Sequence, residues 1–313
     1  MRATVTATFV PLIALWVPAI PQLELSLLPI SGSNSLSLLN DRRTVLSKAE
    51  TETFVITNAN GSPDFTGIRA KYSPDYVIRM NDPTSFTVLA LGQSRQVAHE
   101  LAGIEALDTF DYVDETGRLA SLKAIAEPSV FELTEHLVPS RLRSRKSGLR
   151  FNKCNQSQQN DITQAITNAE TYTTEAQLFL GTHSTETPRY STWFGQFDSA
   201  HFDRVKDHFA KIQGQSWNTL YDCNYHMANV YAYVYPNRAG EVHLCPAFWS
   251  APTMGTDSKA GTLTHEQTNF TVNGGTRDYA YGKRSCRLLA KSHPDKAIQN
   301  AENQELFAEN PPQ

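Results

Sequence analysis

The sequence predicts an α+β protein in two parts, a β-rich first half and a largely helical second half. Three observations lead there. Short β-branched and aromatic runs fill the stretch from about Leu36 to Leu133, apolar residues at helical spacing dominate beyond Cys154, and a dense basic run divides the two. A chain of 313 residues can bury two ordinary cores. Its 40% hydrophobic and 19% charged residues are the balance of a globular protein, not a disordered one.

At the N-terminus Arg2 supplies a weak basic start, and Thr8 to Ile20 (TFVPLIALWVPAI) is apolar but broken by Pro11 and Pro18. That run is too short and too broken for a membrane span and suits the apolar core of an export signal. Ser31 with Ser33, or Val17 with Ala19, offer small residues for cleavage, so residues 1–33 are expected to be a targeting segment. Thr53 to Thr57 (TFVIT), Ser85 to Leu89 (SFTVL), Leu119 to Ile125 (LASLKAI) and Val130 to Leu133 then read as strands, punctuated by Gly61, Ser62 and Pro63. Short strands at this spacing predict a small β-sandwich over residues 34–140. His99 and Glu100 stand there as a solvated pair, because no second ligand follows four residues on. Arg141, Arg143, Arg145, Lys146 and Arg150, with no acid between them, form a solvated linker and an exposed target for a protease that cuts beside basic residues. The domain boundary falls on it, at 141–153.

In the second half, Ile162, Ala165, Ile166, Ala169 and Ala176 lie on one face of a helix from about Ser157 to Leu180. Phe202, Val205, Phe209 and Ile212 predict a second helix, on which His201 and His208 belong to an exposed polar face. Val230 to Tyr235 and Glu241 to Leu244 flank a Pro236–Gly240 turn and predict a hairpin. A third helix begins near Ser258 and carries Leu263 to Phe270. The four cysteines, Cys154, Cys223, Cys245 and Cys286, all lie in this half and lack C-x-x-C spacing. An even, widely spaced set fits disulfides in an oxidising compartment, while composition leaves four buried thiols open. A net charge of −4 gives no reason to expect nucleic acid or an anionic membrane as partner.

The chemistry centres on the third helix. Thr264-His265-Glu266-Gln267-Thr268-Asn269-Phe270 nearly matches H-E-x-x-H, in which residues four apart share a helix face and hold one zinc ion while the glutamate serves as general base. A lone His-Glu pair carries little, but its surroundings carry more. Asn273-Gly274-Gly275-Thr276-Arg277-Asp278-Tyr279-Ala280-Tyr281-Gly282 follows at the spacing of the aspzincin signature. Thr187 to Gly195, Tyr233 to Arg238, Cys245 to Trp249, Gly255 to Ser258, Ala260 to Leu263, His293 to Ala297 and Asn300 to Asn310 match in family order. From about residue 150 to 313 the chain resembles the deuterolysin-type (aspzincin) zinc endopeptidases, above all the peptidyl-Lys metalloendopeptidases.

The resemblance implies a zincin-like α+β catalytic domain over 154–313, preceded by a β-rich propeptide that covers the cleft until removed. It implies Zn2+ held by His265 and Asp278, Glu266 as general base, Tyr281 as donor to the oxyanion, and Glu302 and Glu305 as the acids that receive a substrate lysine. The implied protein is a secreted, monomeric zymogen that cuts internal peptide bonds with lysine on the P1′ side. Cys154 and Cys223 match one family disulfide. Cys245 matches half of a second whose usual partner position holds Tyr225, so Cys245–Cys286 is the pairing expected, one of the three connectivities that four cysteines allow. The departure is Asn269, which stands where the family has its second ligand histidine. A neutral amide oxygen is a weak donor to zinc, so low affinity and low activity are expected. The alternative implied is a non-catalytic binding protein that keeps the fold and cleft.

Overall fold

In the computed structural model, residues 3–9, 22–29, 35–42, 44, 46, 47, 51, 65–90, 94–98, 109–113, 119–123 and 147–309 are described. Outside them lie most of the expected targeting segment, the TFVIT and Val130–Leu133 strands, His99-Glu100, and the basic run through Lys146. The elements before the helical half are β1 Ala3–Phe9, β2 Gln22–Pro29, β3 Ser35–Leu39, β4 Arg69–Tyr72, α1 Pro74–Met80, β5 Phe86–Ala90, β6 Ser94–Ala98, β7 Thr109–Val113 and β8 Leu119–Lys123. After them come β9 Arg150–Asn152, α2 Gln156–Thr182, α3 Pro188–Phe194, α4 Ser199–Ile212, β10 Leu220–Asp222, β11 Val230–Val234, β12 Glu241–Leu244, α5 Pro246–Ser250, α6 Lys259–Asn269, α7 Gly282–Ser292, α8 Pro294–Ala297 and α9 Ala301–Glu309. Helix and sheet are mixed, as an α+β chain requires.

Two compact units result. The first comprises Met1–Gly67 and Pro74–Ser140, the second Ile68–Ser73 and Arg141–Gln313. The first holds two antiparallel sheets, ordered β1-β2-β6 and β5-β3-β7-β8. Leu38, Leu39, Val77 and Leu89 are buried in it.

The second unit combines the helices with a five-stranded sheet, β4-β11-β12-β10-β9. Helix α2 starts on a capping box: Asn155 accepts from Gln158 N–H while the Gln158 side chain accepts from Asn155 N–H, satisfying two donors that the first turn leaves free. Its buried stripe is Ile162, Ala165, Ile166, Ala169, Ala176 and Leu180, the face that the periodicity predicts. Helix α4 is capped by Asp198 and buries Phe202, Val205, Phe209 and Ile212. His208 departs from expectation. It is buried, with Nδ1 3.2 Å from Nε2 of Gln304, because α4 packs inward on that side as well. Burial drives its pKa down to about 4, so it is held neutral.

Helix α6 is the centre of this unit. Ser258 caps it through Gly261 N–H, and all of its residues are buried, the polar ones included. A helix buried all round needs every polar side chain partnered, so its sequence is polar for a reason other than solubility. Gly261 lets α9 approach, since a Cβ there would run into the carboxylates of Glu309 and Glu305.

The cysteines divide. Cys154 and Cys223 are bonded, closing a sequence separation of 69 residues. The expected Cys245–Cys286 bridge is absent, and both are buried thiols. Cys245 ends β12 at the start of α5, whereas Cys286 lies inside α7 with its sulfur on Ala280 O and Asn300 Nδ2, a setting that holds it without a bridge. Tyr225, at the position that prompted the pairing, packs its ring on Tyr233 and His243.

Candidate active site

His265 and Glu266 sit in the middle of α6, and Asn269 lies one turn further along the same face. Beyond the helix the chain turns back on itself. Gly275, at φ 60°, donates to Phe270 O, Thr276 N–H reaches Thr268 O, and Asn273 Nδ2 reaches Gln267 O. The positive φ is why glycine stands there. This turn returns Arg277–Ala280 alongside the helix. Arg277 exchanges backbone bonds with Gln299 and Ala301, and the Asn300 side chain binds Tyr279 N, Ala280 N and Ala280 O. Asp278 is thereby fixed against His265, with Oδ1 3.0 Å from Nε2.

The other face of His265 meets α9. Its Nδ1 lies 3.1 Å from Oε2 of Glu305 and 3.5 Å from Oε2 of Glu302. Burial disfavours a charged imidazole, but Asp278, Glu302 and Glu305 outweigh it and hold the His265 pKa well above its ordinary value. Burial pushes Glu266 up to about 8, against the pull of His265. One oxygen of Glu266, Oε2, is buried without a hydrogen-bond partner.

The acids on α9 face a cation that sequence reasoning missed. Lys71 of β4 is fully buried, and its Nζ lies 2.6 Å from Glu302, 2.8 Å from Glu305 and 3.1 Å from Asp257. Burial works against the ammonium, but the three carboxylates prevail and raise its pKa well above the usual lysine value. Burial likewise opposes the Glu302 charge, yet Lys71 and His265 hold Glu302 down at about 2. Glu309, partly buried beside Glu305, is driven well upward by desolvation. His265, Glu302 and Glu305 could by spacing share a metal ion, but the Lys71 ammonium stands among them.

The backbone of β4 makes its own contacts. Lys71 N–H donates to Oε1 of Glu266 at 3.0 Å, and Ala70 N–H donates to Oδ2 of Asp278 at 3.0 Å. The Tyr281 hydroxyl donates to Ala70 O at 2.5 Å, and Arg69 Nη1 reaches Asn269 O at 3.1 Å. Lys71 lies far away in sequence, and only its residue type, a lysine complementary to the two acids, could have flagged it.

His265 Nε2 and Asp278 Oδ1 suit a zinc ion, because two tetrahedral ligands at about 2.0 Å from the metal stand about 3.3 Å apart. The third position does not match. Asn269 Oδ1 accepts from Thr276 Oγ1 at 3.0 Å, and its Nδ2 is buried without a partner. The donors present therefore offer zinc two strong ligands, the His265 imidazole and the Asp278 carboxylate, with the Asn269 amide on the same helix face.

A buried His-Glu pair on a helix, facing an aspartate and a tyrosine hydroxyl, is the side-chain set that the sequence resemblance implies. Comparison with known proteins makes the class particular. Residues 179–309 match the family model described as lysine-specific metallo-endopeptidase. The chain is 40% identical to a peptidyl-Lys metalloendopeptidase of Grifola frondosa over 90% of its own length and 86% of that protein's. It is 41% identical to the peptidyl-Lys metalloendopeptidase of Armillaria mellea, over 90% and 85%. An extracellular protease of Aeromonas hydrophila is 38% identical over 51% of this chain and 46% of that one. The chain belongs to the aspzincin family of zinc metalloendopeptidases. Among the described residues, no helix is long and apolar enough to cross a membrane.

Proposed function

We propose that the chain is a secreted zymogen of a zinc endopeptidase that cuts internal peptide bonds with lysine on the P1′ side. The observation that carries this reading is a lysine ammonium held by Glu302 and Glu305, one residue beyond a carbonyl held by Tyr281. Residues 1–33 serve as targeting segment, 34–140 as a β-rich propeptide of sandwich type, 141–153 as the basic processing linker and 154–313 as the catalytic domain. The antiparallel β5-β3-β7-β8 sheet of the first unit, which lies wholly within 34–140, supports the propeptide assignment.

His265 and Asp278 hold the metal, with Asn269 in a degenerate ligand position. Zinc, when bound, supplies a Lewis acid that makes water a nucleophile near neutral pH. Glu266, raised by burial, accepts a proton in the cleft and faces the amide nitrogen that must receive one. Tyr281 donates to the carbonyl oxygen where negative charge develops. Glu305 contacts both His265 and the lysine site, so the specificity pocket and the ligand share one carboxylate. A second reading, a metalloprotease-like binding protein without turnover, is favoured by the tie of Asn269 to Thr276.

The test restores the histidine. The Asn269→His chain, briefly treated with a protease that opens the basic linker, is expected to bind zinc and to cut a peptide library before lysine. Glu266→Ala in that background keeps the metal and loses turnover. Cutting beside apolar residues would remove the pocket assignment, and zinc binding without cleavage would favour the binding protein.

A further inference from the structure

Ile68–Ser73 belongs to the second unit, although the residues on either side of it belong to the first. Its strand β4 takes the edge place beside β11 and runs antiparallel to it, with Ala70 opposite Tyr233 and Lys71 opposite Ala232. Adding a strand to a sheet edge is a recurring way of holding an extended peptide. Each group assigned to catalysis or to lysine recognition touches this strand around one peptide bond, Ala70–Lys71. Tyr281 donates to its carbonyl oxygen, Glu266 accepts from its N–H, and Glu302 and Glu305 take the side chain that follows. Asp257 adds a third carboxylate to the ammonium and also accepts from Ser73 Oγ at 2.9 Å, gripping the strand on both sides of Tyr72.

A lysine that merely neutralised buried acids would explain the ion cluster. It would not explain why the carbonyl and N–H of a single peptide bond face the tyrosine and the glutamate in the order that hydrolysis demands. A buried cluster of this kind is strongly destabilised when one member is removed, so the acids and Lys71 depend on one another.

We propose that Ile68–Ser73 is a tethered pseudosubstrate, resident in the cleft in the register of a peptide whose lysine follows the scissile bond. The proposal rests on the lysine-pocket reading above. A tethered segment competes at an effective concentration in the millimolar range, so free lysyl peptides are excluded while it stays in place.

The experiment uses the full chain in two arms. In the first, the unaltered protein is acetylated briefly with an amine-reactive ester and mapped by mass spectrometry. Lys71 is expected to react about a hundredfold more slowly than Lys211, whose side chain is 48% exposed. In the second, a labelled Arg-Ala-Lys-Tyr-Ser peptide is titrated into the unaltered and the Lys71→Met chains. The variant is expected to bind it roughly tenfold or more tightly than the unaltered chain. Equal labelling of Lys71 and Lys211 overturns the proposal, as does a Lys71→Met chain with an intact near-ultraviolet circular dichroism spectrum that binds no more tightly. The labelling arm needs no variant and can overturn the proposal even if Lys71→Met fails to fold. A peptide with Met for Lys separates the two ideas. If the variant binds it as tightly as the lysine peptide, the lysine-pocket reading falls, while slow labelling and a gain for both peptides still support a resident strand.

Discussion

Replacing Asn269 by histidine is expected to tighten zinc binding by about a hundredfold or more. Asn269 is fully buried one helical turn from His265, so an imidazole there joins the Nε2 of His265 and the Oδ1 of Asp278 on one face. Loss of a group that only orients a ligand weakens metal binding about 10–100-fold, and a direct ligand acts on the ion itself. A hundredfold is about 2.7 kcal/mol at about 1.36 kcal/mol per decade. The larger ring must also be accommodated. It forfeits the Thr276 bond, about 1 kcal/mol, and overfills a closed site, about 1–3 kcal/mol. Without zinc the variant should therefore unfold at a lower temperature than the unaltered chain. Zinc at about a hundred times the new dissociation constant returns about 2.7 kcal/mol and should offset most of that loss. Chelator-competition titrations and calorimetry, each with and without zinc, measure the two signs separately. A folded Asn269→His chain whose zinc affinity matches that of the unaltered protein would refute the argument, and so would tight stoichiometric zinc in the protein with Asn269.

Three other outcomes follow from the same geometry. Tyr281→Phe in the Asn269→His background should lower kcat about 10²–10³-fold and leave KM nearly unchanged, as removal of an oxyanion donor does, and steady-state kinetics on a lysyl peptide check it. Replacing Cys154 and Cys223 by serine should remove up to about 4 kcal/mol, the chain-entropy value for a loop of this separation, seen as an earlier urea midpoint; thiol counting in the unaltered denatured chain should find only Cys245 and Cys286. Gly261→Ala should cost about 1–3 kcal/mol because its methyl meets the Glu305 and Glu309 carboxylates between α6 and α9, and an unchanged melting temperature would count against that close approach.

Much of the second unit is legible in local sequence. The spacing of Ile162, Ala165, Ile166 and Ala169 marks α2 because a helix buries one face at a period that sequence displays. Val230–Val234 and Glu241–Leu244 mark their hairpin through β-branched and aromatic runs on either side of a turn. His265, Glu266, Asp278 and Tyr281 lie close together in the chain, and the short Gly274-Gly275 return that joins them is written in consecutive residues. By itself, then, the sequence determined α2, α4 and α6, the hairpin and the residues clustered around one short segment. Only tertiary structure decided the rest. It buried His208, left Cys245 and Cys286 as thiols, added Asp257 to the acids of α9, and brought Lys71 from the other half of the chain to the Glu302–Glu305 pair. Each of these depends on which distant elements meet. Strand pairing and ion pairing select partners by complementarity in space, and no periodicity along the chain records that choice.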